Sequence, residues 1–281
     1  MSPPPGPAGS ASLPSPGGAI ALLFLVAILF LLGAFPLGAL LGEPGLVLSQ
    51  LLFLALPAVL YVVVRGHDLT RTFSLRLPSR RHLLGGLLLF LGGTPLAWFL
   101  AWLQSLVAPV PVEYLEAMAE MLTADSLSRF LWLLVMAAVV PAVCEEVLFR
   151  GTLLSGLRNG LPAGVAVVLS GIIFGLFHAS PETGFRILPT AWLGILLAWV
   201  VVASGSLPLA ALLHFLNNGA ILALMALPLT RELVSGTDDA PPVVLLVGAV
   251  VALLLGSRLL QRDGSRDALS VPPDEVHLRE G

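Results

Sequence analysis

Between Ala19 and Leu260 one pattern recurs: an apolar stretch, a short break of turn-forming residues, then another apolar stretch. A helix rising about 1.5 Å per residue needs roughly 20 residues to cross about 30 Å of hydrocarbon, and these stretches are that long. The breaks include Gly42-Glu43-Pro44-Gly45, Asn159-Gly160-Leu161-Pro162 and Ser204-Gly205-Ser206-Leu207-Pro208. They predict eight spans, at Ala19–Leu41, Gly45–Val64, Leu83–Val107, Phe130–Leu157, Pro162–Ala179, Phe185–Ala203, Leu207–Leu227 and Pro242–Leu260. The expected fold class is therefore all-α, a polytopic membrane helix bundle of about eight transmembrane helices.

Composition supports one bundle rather than several soluble domains. Of 281 residues 57% are hydrophobic and 11% charged, too few charges to cover a soluble surface. The bundle is expected over residues 19–262, with 1–18 as a Pro/Gly/Ser/Ala leader before a retained first span and 263–281 as a polar tail. A weak net charge of −3 points to no nucleic-acid partner. Cys144 is the only cysteine, so no intrachain disulfide forms. Lysine is absent and Ala, Gly, Leu and Pro abound, a bias that suggests a GC-rich bacterial genome and hence an inner-membrane location.

Arginines give the orientation, because cytoplasmic loops carry an excess of basic residues. Arg65, Arg71, Arg76, Arg80 and Arg81 lie between spans two and three, Arg158 between four and five, and Arg258, Arg262, Arg266 and Arg279 at the C-terminal end. The opposite loops hold Arg129, Arg186 and Arg231 beside Glu113, Glu116, Glu120, Asp125, Asp238 and Asp239. Both termini are thus expected in the cytoplasm.

Three spans break the apolar rule, and an ionisable residue inside a membrane is by default functional. The fourth carries Glu145, Glu146 and Arg150, the fifth ends in Phe174…His178, and the seventh holds His214…Asn218. Glu146 and Arg150, one turn apart, can pair on one face. Glu145 lies about 100° round the helix, free for chemistry. His214 and Asn218 also share a face. Counted from the cytoplasmic ends at about 1.5 Å per residue, Glu145 lies roughly 18 Å deep, His178 24 Å, His214 10 Å and Asn218 16 Å. These depths favour a site opening toward the cytoplasm. Pro141, one turn before Glu145, is expected to kink its helix, and Gly171 and Gly175 to permit close approach of a neighbour.

Two chemistries suit this set. Glu145, His178 and His214 are ordinary zinc ligands, with water in an open position. Alternatively Glu145, made more basic by apolar surroundings, activates water with His178, while His214 and Asn218 donate hydrogen bonds to the oxyanion. Both end in amide hydrolysis.

Glu145-Glu146…Arg150, Phe174…His178 and His214…Asn218, in this order on separate spans, resemble the CAAX-protease and bacteriocin-processing (CPBP, or Abi) intramembrane peptidases over about Phe130 to Leu227. The resemblance implies an eight-helix fold like that of the Ras-converting prenyl-protein endopeptidase. It also implies a water-activating role for Glu145, His178, His214 and Asn218, and a membrane-anchored or lipidated protein or peptide as substrate. Members are described both as metalloproteases and as glutamate-type proteases. Competing readings are a proton-relaying transporter, for which no repeat of broken helices speaks, and a noncatalytic immunity-type membrane protein.

Overall fold

The computed structural model describes residues 12–180, 183–226 and 240–261. Among these residues every regular element is helical, apart from one isolated bridge between Leu75 and Ser206. The spanning helices are α1 (Pro16–Leu41), α2 (Glu43–Val64), α4 (Arg80–Ser105), α6 (Leu127–Arg158), α8 (Ile187–Ser204), α9 (Leu207–Ala226) and α10 (Val243–Gln261), with a 3₁₀ turn at Gly184–Arg186 leading into α8. Seven helices are long and apolar enough to cross a membrane, which makes this an integral, multi-pass protein. An eighth, α7 (Ala163–Phe177), is apolar but has only 15 residues, about 22 Å of rise. All eight expected spans have a helix.

Helix starts follow side-chain chemistry. Ser15, Ser79 and Ser126 accept backbone N–H groups at the first turns of α1, α4 and α6, groups that would otherwise lack partners. Between α1 and α2 the chain reverses at Gly42, whose φ of +64° suits a residue without a side chain. The apolar residues turned outward, such as Leu31, Phe35, Val64 and Val244, suit a lipid surround rather than water.

Two short helices were not legible as such. Asp68 caps α3 (Leu69–Thr72), and the acidic segment read as a loop forms α5 (Val112–Met121). On α5, Glu113, Glu116 and Glu120 are exposed, whereas Tyr114, Met118 and Met121 turn inward at helical spacing.

Residues 12–18, expected to be leader, are tied down instead. Ser12 O accepts Asp68 N at 3.2 Å, Asn159 Nδ2 donates to Pro14 O at 3.0 Å, and α1 begins at Pro16. The remainder of the leader, the loop carrying Arg231, Asp238 and Asp239, and the tail 263–281 lie outside the described residues.

Contacts between loops sort the helix ends into two faces. On one, Leu207 N donates to Ser74 O, Asp68 N reaches Ser12 O, and Asn159 touches Pro14. On the other, Arg129 forks onto Glu43 at 2.6 and 2.7 Å, Gln104 bonds Gly184 O and Leu188 N, and the rings of Tyr114 and Phe185 meet at 5.5 Å. Successive long helices therefore run in alternating directions. Among the described residues the first face, the arginine face, carries Arg65, Arg71, Arg76, Arg80, Arg81, Arg158 and Arg258; the second carries Arg129 and Arg186.

Candidate active site

Everything distinctive about the site begins in α6, which is not a uniform α-helix. Its hydrogen bonding widens to π turns at Val135–Val139 and again at Val147–Leu153, with an ordinary α segment, Val140–Glu146, between them. Pro141 opens that segment. It has no N–H to offer Ala137 four residues earlier, so an expected disruption is present, as a π turn directly upstream. The Ala137 carbonyl accepts the Asn218 amide instead, Nδ2 to O at 3.4 Å.

The second π turn carries Arg150, whose side chain is wholly buried with that of Glu146. Arg150 Nη1 donates to Glu146 Oε1 at 2.7 Å and Nη2 to the Gly194 carbonyl at 3.1 Å, and its guanidinium lies 4.3 Å from the centroid of the Phe174 ring. The pairing read from four-residue spacing is present. Spacing within one helix could not show what else Glu146 does: the same Oε1 accepts His214 Nδ1 at 2.9 Å.

That bond fixes the His214 ring. A carboxylate can only accept, so Nδ1 carries the hydrogen and Nε2 presents a lone pair. His178 is fixed in the same sense by its own helix, with Nδ1 donating to the Phe174 carbonyl at 2.8 Å. Both Nε2 atoms turn toward Glu145 Oε2, His178 at 3.6 Å and His214 at 3.9 Å. Oε2 is buried and has no hydrogen-bond partner within the protein. Three acceptors from α6, α9 and the end of α7 thus converge, too far apart to bond directly and close enough to share one small donor.

Asn218, one turn beyond His214, also borders this space, and so does Asn217. On an ideal helix Asn217 points about 100° from Asn218. The structure gives it a part: its Nδ2 donates to Asn218 Oδ1 at 3.2 Å, leaving the Asn218 amide nitrogen to face Ala137 and the cavity. Two adjacent asparagines in an apolar helix were the available signal. Cys144 is fully buried in the apolar core, as a packing role requires.

The approach of α7 to α8 sets the position of His178. A Cβ built on Gly171 would lie 2.5 Å from Ile195 N, and one on Gly175 would lie 2.8 Å from Ile187 O. Neither distance is tolerable for a real side chain, so these glycines allow the contact the sequence anticipated.

A cavity of about 530 Å³ adjoins the trio. From the middle of the spanning helices its lining extends toward the face opposite the arginines: Phe90 to Ala97 of α4, Ala137 to Glu145 of α6, Pro189 to Leu196 of α8, and His214 to Met225 of α9. Tyr114 and Met118 of α5, with Phe185 and Arg186, stand at its outer end. This corrects the expected opening toward the arginine-rich side. Depths counted along single helices missed it because His178 closes the far end of a short helix, and because Leu148–Leu154 are all buried, sealing the arginine side.

Spacing also bears on metal binding. Among the described residues no three His, Cys, Asp or Glu side chains are placed to hold an ion. Tetrahedral zinc ligands at about 2.0–2.1 Å lie about 3.4 Å apart, against 3.6 and 3.9 Å from Glu145 Oε2 to His178 and His214 Nε2.

Comparison with known proteins adds one match. The family model described as "Type II CAAX prenyl endopeptidase Rce1-like" matches residues 127–220. This segment is similar to the Rce1-like family. It runs from the start of α6 through His214 and Asn218, and it bears out the family resemblance seen in the motifs. No curated protein and no solved structure matches the chain. The matched family is one of endopeptidases, and the matched segment lies within a bundle of apolar helices.

Proposed function

We propose that this protein is an intramembrane endopeptidase of the glutamate type, acting on a membrane-anchored or lipidated protein or peptide. The observation that carries the reading is the convergence of Glu145 Oε2 with the lone-pair sides of His178 and His214 beside a cavity.

A water held among these three acceptors has both hydrogens engaged and a lone pair directed outward. As its oxygen bonds to the scissile carbonyl carbon, Glu145 takes the proton, with His178 holding the water in line. The carbonyl π electrons move to oxygen. Asn218 Nδ2 donates to that oxygen, and Glu146, accepting at Nδ1, holds the His214 ring with Nε2 beside the water. Collapse breaks the C–N bond, and the proton on Glu145 passes to the leaving amine. Glu146 and Arg150 touch no reacting atom; they position His214.

The test uses purified protein in detergent or proteoliposomes with anchored peptide substrates. Glu145→Ala, His178→Ala and His214→Ala should each abolish cleavage while leaving the thermal transition of the bundle in place. Cleavage that persists in Glu145→Ala would refute the assignment.

A further inference from the structure

The geometry points to a substrate class defined by side: the scissile bond belongs to an extracytoplasmic segment of a membrane-anchored protein or peptide, not to a cytoplasmic tail. This deepens the peptidase reading and rests on it. Two independent observations combine here.

The first is the distribution of arginine over the faces. Seven described arginines lie on one face and two on the other. Short loops rich in arginine stay in the cytoplasm. Arg65, Arg71, Arg76, Arg80 and Arg81 sit in one short connection between two spans, where that rule acts most strongly.

The second is the shape of the site. From Glu145 the cavity runs away from the arginine face and ends among Tyr114, Met118, Phe185 and Arg186. Toward the arginine face the way is closed. Leu148, Phe149, Arg150, Leu153 and Leu154 are at most 1% exposed, and Phe73 and Leu207 close over Gly151 in the same stretch. A peptide in the cytoplasm would have to displace this core to reach Glu145. One emerging on the other side meets an opening flanked by the inward residues of α5.

Two measurements test this. Cysteines are introduced singly at exposed positions, Ala117→Cys on α5 and Thr70→Cys in the arginine-rich connection, with native Cys144 left buried. A membrane-impermeant maleimide applied to intact spheroplasts should label Ala117→Cys, and Thr70→Cys only after lysis. The reverse pattern overturns the inference. Separately, oriented proteoliposomes receive a single-span reporter whose randomised juxtamembrane segment lies on one side or the other. Glu145-dependent cleavage is expected only when the segment shares the Ala117 side. Cleavage only on the Thr70 side overturns the inference and leaves the peptidase reading standing. No Glu145-dependent cleavage on either side overturns the peptidase reading itself, while the labelling still decides which way the cavity faces.

Discussion

Glu146 Oε1 receives two donors, Arg150 and His214, and this makes it a position where stability and positioning separate. Removing the carboxylate alone strands a buried guanidinium. Glu146→Ala should therefore cost about 3–5 kcal/mol, read as lost thermal stability in detergent. Replacing both partners, Glu146→Met with Arg150→Met, removes the stranded charge as well and should recover most of that loss. Activity should not return with it, because His214 has lost the group that holds Nδ1. A double variant that is stable and fully active would show that Glu146 does not position His214. Asn218→Ala should lower kcat by roughly 10²–10³-fold with little change in KM, as expected when an oxyanion donor is removed.

At the scale of the element, the first π turn of α6 sits where Pro141 denies one hydrogen bond to Ala137. Pro141→Ala returns an N–H opposite the Ala137 carbonyl, in competition with Asn218. It should stabilise the helix and reduce kcat by less than the full loss seen in Asn218→Ala. The α7–α8 contact behaves differently. Gly175→Leu places a side chain against Ile187 and Ala191, forcing the helices apart and moving His178 from Glu145. Cleavage should fall steeply even in molecules that remain folded, measurable by comparing activity with the fraction surviving size-exclusion chromatography.

For the whole molecule, the proposed glutamate-type chemistry predicts independence from metal. Prolonged chelation followed by desalting should leave cleavage within about twofold, and added zinc should not raise it, since in the proposed chemistry Glu145 activates the water without an ion. A loss restored by zinc would instead establish the metalloprotease route. The arrangement of faces also explains why one bundle can have a dry floor and an open end. The short α7 and the 3₁₀ turn before α8 leave the helix ends recessed on the side of α5, whereas Leu148–Leu154 pack densely on the other.

The sequence by itself determined the all-α bundle of apolar helices, the order of the three polar motifs and the pairing of Glu146 with Arg150. Each is written in local spacing: hydrocarbon thickness fixes the length of a span, and one helical turn fixes which neighbours share a face. Tertiary structure alone decided that Glu146 serves His214, that Asn217 steadies Asn218, that the acidic loop is a helix lining the cavity, and which face the cavity opens on. Those depend on how helices distant in sequence pack and how far each reaches. A residue's position along its own helix carries no record of what its neighbours cover.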